Sequence, residues 1–236
     1  MRCVLLICTA LAGGAQAQQM DELSQKLLEG WEKAAYQLGR AGVKTYWVEI
    51  EAKITGMTGT MASRGTYYWN GKRGKLTWDR PAVGTQLALQ GWTAARFDEE
   101  MVPDFRSKTL AGCKLTAKRE PKTTVVTIAG KNKPAWKQLV FDKDGVLLQL
   151  VIDGPTPQGR IKKCINYVWR KVGTRYLAHK WTFEMKMAMS ALKGEGSATY
   201  AKAGKYFVVT RHQERVTLKG KPWSTVDLVF SSHQLQ

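Results

Sequence analysis

Few residues of this chain stand in arrangements that do chemistry. The three histidines, His179, His212 and His233, fall on separate stretches. None has a second ligand at metal spacing, and isolated strand histidines of this kind read as structural. Gly194-Glu195-Gly196-Ser197 lacks the Gly-x-Ser-x-Gly pattern of a nucleophile elbow and reads as a glycine-rich turn. Asp98-Glu99-Glu100 is the densest acidic cluster, but adjacent carboxylates at a strand end do not define an acid/base pair and read as solvated loop charge. Asp142-Lys143-Asp144-Gly145 begins like a calcium loop, yet such a loop needs glycine at position six and glutamate at twelve, so it reads as a hairpin turn. No phosphate loop or dinucleotide fingerprint occurs. The sequence therefore reads as a protein without catalytic residues, metal or cofactor. Glu49, Glu51 and Glu184 become inward charges only if the strand faces assigned below are inverted.

What stands out instead is apolar surface. Nine tryptophans and eight methionines are many for 236 residues. Along Leu177–Met189 the residues Leu177, Trp181, Phe183, Met185, Met187 and Met189 fall on one side, interrupted only by His179. Methionine is unbranched and polarizable, so it adapts to irregular partners such as acyl chains. Two readings stay open: a plain core closed by an N-terminal helix, or the lining of an apolar cavity. For the second, the lining comprises Val48, Ile50, Leu76, Trp78, Trp181, Phe183, Met185 and Met187.

The elements that must position these side chains are one helix and many strands. Leu23, Leu27, Leu28, Trp31, Ala34, Ala35 and Leu38 recur at three- and four-residue spacing, predicting a helix from Asp21 to about Gly39 with Asp21 as N-cap. From Thr45 the period becomes two, with Tyr46, Val48, Ile50, Ala52 and Ile54 on one face. Further strands are expected at 65–70, 75–79, 86–90, 93–98, 123–129, 136–142, 146–152, 161–170, 177–189, 206–210, 214–218 and 225–230. The stretch 101–115 is less periodic and reads as a short helix or loop. One helix followed by a series of strands with short turns predicts an α+β fold: a curved antiparallel sheet, barrel or half-barrel, covered by the helix.

Compartment and charge come from the ends of the composition. Arg2, the apolar run from Val4 to Ala12 and Ala15-Gln16-Ala17 form a signal peptide over residues 1–17, with 18–236 as a single domain. The apolar run is far shorter than the roughly 20 residues that span a bilayer. The chain is therefore expected to be periplasmic or secreted. In an oxidising compartment Cys113 and Cys164 could form a disulfide, and the sequence leaves their pairing open. Lysine and arginine number 37 against 19 acidic residues, a net charge of +18. Outside the cytoplasm that excess points to anionic membrane surfaces or acidic wall polymers before nucleic acid.

Several local patterns carry a resemblance. The helix leads into the strand Tyr46–Ile54, then Gly65-Thr66-Tyr67-Tyr68-Trp69 and the basic turn and Trp strand Lys72-Arg73-Gly74-Lys75-Leu76-Thr77-Trp78-Asp79. Gln90-Gly91-Trp92-Thr93, Phe141-Asp142-Lys143-Asp144-Gly145, the spacing Tyr167, Gly173, Tyr176-Leu177, and Val226-Asp227-Leu228-Val229-Phe230 follow. In this order they resemble the periplasmic outer-membrane lipoprotein carrier family and its lipoprotein-sorting and sigma-factor-regulator relatives. The resemblance implies a half-closed antiparallel barrel whose helices lie over an apolar cavity that receives acyl chains. It implies a monomeric carrier of lipid or lipoprotein acyl chains, with no nucleic-acid partner. The family's arginine inside the Trp strand has no counterpart in Lys75-Leu76-Thr77-Trp78, so no lid-locking role carries over. The alternative is an envelope interaction or regulatory protein that binds acidic polymers or a partner protein through its basic surface.

Overall fold

The computed structural model describes residues 21–57, 59–71, 74–80, 110, 113–130, 136–156, 159–187 and 190–236. The leader, the strands expected at 86–90 and 93–98, the Asp98-Glu99-Glu100 cluster, Met189 and most of 101–115 lie outside them.

Helix α1 runs Glu22–Ala34. Asp21 caps it: its Oδ1 accepts the Ser24 N–H at 2.7 Å, and Glu22 and Lys33 place charges favourably toward the two ends of the helix dipole. The helix stops earlier than its apolar spacing predicts. Ala35 turns extended and forms a parallel bridge to Tyr176, and the Tyr36 N–H donates to the Tyr176 carbonyl at 2.8 Å. A neighbouring strand thus takes over the backbone that a fourth helical turn would have used.

Twelve strands follow among the described residues: β1 Tyr46–Gly56, β2 Gly59–Trp69, β3 Gly74–Trp78, β4 Lys114–Arg119, β5 Thr123–Ala129, β6 Trp136–Asp142, β7 Leu147–Thr156, β8 Gly159–Val172, β9 Arg175–Met187, β10 Ser190–Ala203, β11 Tyr206–Leu218 and β12 Lys221–Leu235. They form one antiparallel sheet in the order β3-β2-β1-β12-β11-β10-β9-β8-β7-β6-β5-β4. Strand β12 returns to pair with β1 (Ile50 opposite Phe230, Ala52 opposite Leu228), and β3 and β4 are the outermost of the described strands. The architecture is an unclosed half-barrel with α1 against its inner face, as the α+β reading expects.

Several strands depart from expectation, among them β4, which no expected range covers. The stretches 206–210 and 214–218 are one strand, β11, because Arg211, His212 and Gln213 continue the ladder to β12 and β10. The supposed glycine turn at 194–197 lies inside β10, where Gly194 stands opposite Phe183 and Gly196 opposite Trp181. A Cβ at either glycine would collide with the facing aromatic ring, and at Gly194 it would also lie 2.9 Å from the Arg215 carbonyl oxygen. These glycines are sites of close approach, where rings lie flat on the sheet, and not places where the chain reverses.

The core occupies the face that α1 covers. Trp31 is fully buried, with its ring 4.6 Å from Trp169 and 6.0 Å from Tyr176. A register shift at Val168/Trp169 leaves His179 as the extra residue of a bulge. The bulge changes the phase of β9, so Tyr176, and not Leu177 as expected, meets Trp31 on the face that carries Trp181.

Candidate functional site

All eight residues expected to line a cavity fall on the inner face. On β1, Val48 stands opposite Tyr67 and Ile50 opposite Gly65; on β3, Leu76 stands opposite Tyr67 and Trp78 opposite Gly65. On β9, Trp181 pairs with Tyr167, Phe183 with Ile165 and Met185 with Lys163 across to β8, and Met187 continues the alternation. The eight divide into two groups. Val48, Ile50, Trp181 and Phe183 are 0 to 5% exposed and belong to the core cluster. Leu76, Trp78, Met185 and Met187 are half-buried.

The physical consequence is a graded surface. Along β9 burial is complete at Trp181 and Phe183 and opens toward the β10 hairpin at Met185 and Met187. Neighbours on the same face follow the trend: Val216, Leu192 and Ile152 are half-buried apolar side chains, aligned by cross-strand pairing with Gly194, Met185 and Lys163 respectively. Lys163 lays its ammonium 4.4 Å from the centroid of the Phe183 ring, so a cation borders the apolar rim.

One polar pair lies in this face that the sequence did not disclose. His212 and Glu214 on β11 are 0% and 3% exposed. The Trp181 Nε1–H donates to Glu214 Oε2 at 3.3 Å, and the Trp181 and His212 rings lie 4.7 Å apart. Pattern reading took His212 as structural, which agrees with its packing. It missed Glu214 because a carboxylate among Gln213 and Arg215 looks solvent-facing. The signal available was parity: Glu214 is two residues from His212 and from Val216, hence on their face.

The carboxylates that an inverted face would have turned inward point outward. Glu49, Glu51 and Glu184 are exposed. Glu49 accepts from the Ser232 hydroxyl, Glu51 faces Arg64, and Glu184 pairs with Lys193 at 2.7 Å. The arrangement offers no buried carboxylate pair made of these residues for acid/base work. Among the described residues no group of three His, Cys, Asp or Glu side chains stands ready to hold a metal ion.

Cys113 and Cys164 do not form the disulfide left open by the sequence; both are free thiols. Cys113 lies buried in the core cluster beside β4. Cys164 is adjacent to the buried Ile165 in β8 and so projects from the opposite face of the sheet, where burial and then the Glu184 carboxylate push its thiol pKa up. A sheet stands between the two sulfurs, and no disulfide geometry crosses it.

Two larger hollows mix polar and apolar lining. One of about 750 Å³ crosses the outward face from β8 to β12 past Asn166, Thr182, Glu195 and Arg215. Another of about 570 Å³ separates α1 from the β4–β5 and β6–β7 turns and mixes Leu27 and Trp31 with Lys26, Arg119, Glu120 and Asp144. Among the described residues no helix is long and apolar enough to cross a membrane.

The chain matches no family model and no curated protein. Among solved structures it is similar to a LolA superfamily protein from Nitrosomonas europaea, at 10% identity over 90% of this chain and 93% of that one, with a TM-score of 0.39. It is also similar to a domain from Vibrio parahaemolyticus assigned to outer membrane lipoprotein sorting, at 10% identity over 91% of each chain and a TM-score of 0.35. A DUF1329 family protein from Desulfovibrio piger follows, at 8% identity over 89% of this chain and 93% of that one, with a TM-score of 0.32.

Proposed function

We propose that residues 18–236 act outside the cytoplasm, after removal of a leader at 1–17, as a monomeric carrier of the acyl chains of a lipid or lipoprotein. The observation that supports this reading is the graded inner face. The half-buried Met185 and Met187 at one end of β9, and Leu76 and Trp78 on β3, would meet a chain, over a sealed floor that includes Trp181, Phe183, Val48 and Ile50. Binding is non-covalent and needs no cofactor. Each methylene withdrawn from water contributes about 0.8 kcal/mol, so a chain of ordinary length supplies ample affinity even when it is only partly covered. Half-buried methionines suit such a partner because they repack without strain.

The burial pattern dictates which variant tests the idea. A charge at Phe183 would unfold the core, whereas Met185 and Met187 already touch solvent and tolerate one. The mature protein, purified from its own envelope and extracted with organic solvent, is expected to yield stoichiometric acyl lipid by mass spectrometry. The Met185→Asp/Met187→Asp variant is expected to keep its thermal transition and lose that lipid. A wild-type protein that arrives lipid-free and also fails to take up a fluorescent fatty acid overturns the proposal.

A further inference from the structure

One end of the half-barrel brings basic residues together with aromatic rings. Three segments meet there: the connection 36–45 between α1 and β1, the β8–β9 turn and the β10–β11 turn. Their contact is direct. The Tyr36 hydroxyl accepts the Phe207 N–H at 2.8 Å, and the Tyr36 and Phe207 rings meet edge-on at 5.7 Å. Tyr36 also joins Tyr176 through its backbone, and Gly42 lies beside the Tyr206 hydroxyl.

Within these segments the charge has one sign. Residues 36–45, 170–176 and 200–207 contain Arg40, Lys44, Arg170, Lys171, Arg175, Lys202 and Lys205 and no aspartate or glutamate. Glu32 on α1, which pairs with Arg40 at 2.9 Å, is the nearest carboxylate that the contacts of this cluster include. Four of the cations lie over aromatic faces: Lys171 over Tyr176 (5.9 Å), Arg175 over Tyr36 (5.8 Å), Lys202 over Phe207 (5.9 Å) and Lys205 over Tyr206 (5.2 Å). Resting on rings, these cations have no carboxylate partner among the described residues. Their charge is therefore available to an external anion. Two other turns at this end interleave their charges: Glu120 sits between Arg119 and Lys122, and Asp142 and Asp144 flank Lys143.

We propose that this end is a docking surface for an anionic lipid bilayer, with Lys171, Arg175, Lys202 and Lys205 facing headgroup phosphates and Tyr36, Tyr176, Tyr206 and Phe207 at the interface. Like cations borne on two adjacent turns complement a plane of negative charge, and tyrosine rings, apolar with a polar tip, favour the headgroup layer. The methionine rim lies at the other end of β9, where the β9–β10 hairpin begins, so docking leaves the rim facing away from the bilayer. The inference does not depend on an acyl chain in the inner face: a lipid-free protein would still dock.

The test uses the mature protein with vesicles of phosphatidylcholine alone or with about one third phosphatidylglycerol, in low salt and at about 0.5 M salt. Sedimentation with the anionic vesicles, lost at high salt and absent with neutral ones, is the expected result. Each cation near the surface is worth about fivefold in affinity, so the quadruple variant Lys171→Gln/Arg175→Gln/Lys202→Gln/Lys205→Gln is expected to bind at least about a hundredfold more weakly. Its thermal transition serves as the folding control. Lys219→Gln/Lys221→Gln, at the opposite end beside the exposed Trp223 and Met57, is expected to bind as the wild type does. Unchanged binding by the quadruple variant, or loss in the Lys219/Lys221 pair instead, overturns the assignment. So does equal affinity for soluble polyglutamate, which would make the partner a polymer and not a bilayer.

Discussion

Replacement of Asp21 tests how the helix is fastened to the sheet. Both carboxylate oxygens are in use: Oδ1 accepts from Ser24 N–H at 2.7 Å as the helix N-cap, and Oδ2 accepts from Ala117 N–H at 2.5 Å on strand β4. The Asp21 N–H in turn donates to the Leu115 carbonyl at 3.3 Å, so this one residue continues the ladder where β4 has no further strand among those described. Asp21→Ala removes a cap worth about 1 kcal/mol. It also strips the acceptor from a half-buried N–H, at a cost of about another 1 kcal/mol. Asp21→Asn keeps an oxygen for the cap but offers an amide NH2 to Ala117, so it loses only the second part. With a urea m-value of about 2–3 kcal/mol/M for a chain of this size, the alanine variant shifts the tryptophan-fluorescence midpoint down by about 0.7–1 M and the asparagine variant by about half that. The pH dependence carries its own sign. Partial burial raises the Asp21 carboxyl, but the N–H groups of Ser24 and Ala117 together outweigh it and hold the pKa below the ordinary aspartate value. The stabilisation is therefore fully present above the unfolded-state pKa and disappears as pH falls through the lower folded-state value. Once the pH has fallen below the folded-state value the wild type and Asp21→Ala converge. An asparagine variant as stable as the wild type at neutral pH, or a difference that grows in acid, would refute the two-oxygen account.

Other substitutions probe the sheet. Gly194→Ala places a methyl against the Phe183 ring and the Arg215 carbonyl and is expected to cost about 2–3 kcal/mol, seen as a lowered denaturation midpoint, whereas Gly204→Ala, with open space around it, suffers only the strain of its positive φ. Lys219 occupies the left-handed region at φ 50° in the two-residue β11–β12 turn; Lys219→Asn is expected to raise the thermal midpoint by the equivalent of about 1 kcal/mol. The Arg211 guanidinium grips Asp227 with two bonds of 2.8 and 2.6 Å and holds that carboxyl below its usual range. Because Arg211 is solvent-exposed, Asp227→Asn is expected to cost under about 1 kcal/mol, with the difference from wild type shrinking in high salt and as pH falls through the depressed Asp227 value. A larger loss that is insensitive to salt would mean that this pair is structurally buried in function.

Much of the architecture could be read from alternation alone. The inward set of β1, Val48, Ile50 and Ala52, and the boundaries of β5 and β6 are visible because one face of each strand meets the core and the other meets water. Strand β10 was hidden for a physical reason. Its inner positions 194 and 196 are glycine, and its outer ones, Lys193 and Glu195, are charged, so the apolar period is broken between Leu192 and Ala198. What holds it is the pair of rings on β9, whose alignment with the glycines depends on register between strands. The phase change at His179 is similar: a bulge depends on the pairing partner Val168-Trp169 as much as on β9 itself.

For the candidate site, sequence determined which side chains share a face, because the side-chain period of a strand is two wherever the chain runs straight. It also determined the excess of positive charge and the identity of the helix cap. Only the tertiary structure decided which of the eight apolar residues are sealed and which are half-open, since burial depends on what the helix and neighbouring strands lay over them. It placed Cys113 and Cys164 on opposite sides of the sheet, brought Glu214 and His212 into the apolar face, and gathered cations from three distant segments at one end. Each of those outcomes is set by contacts between residues far apart along the chain, which no local pattern encodes.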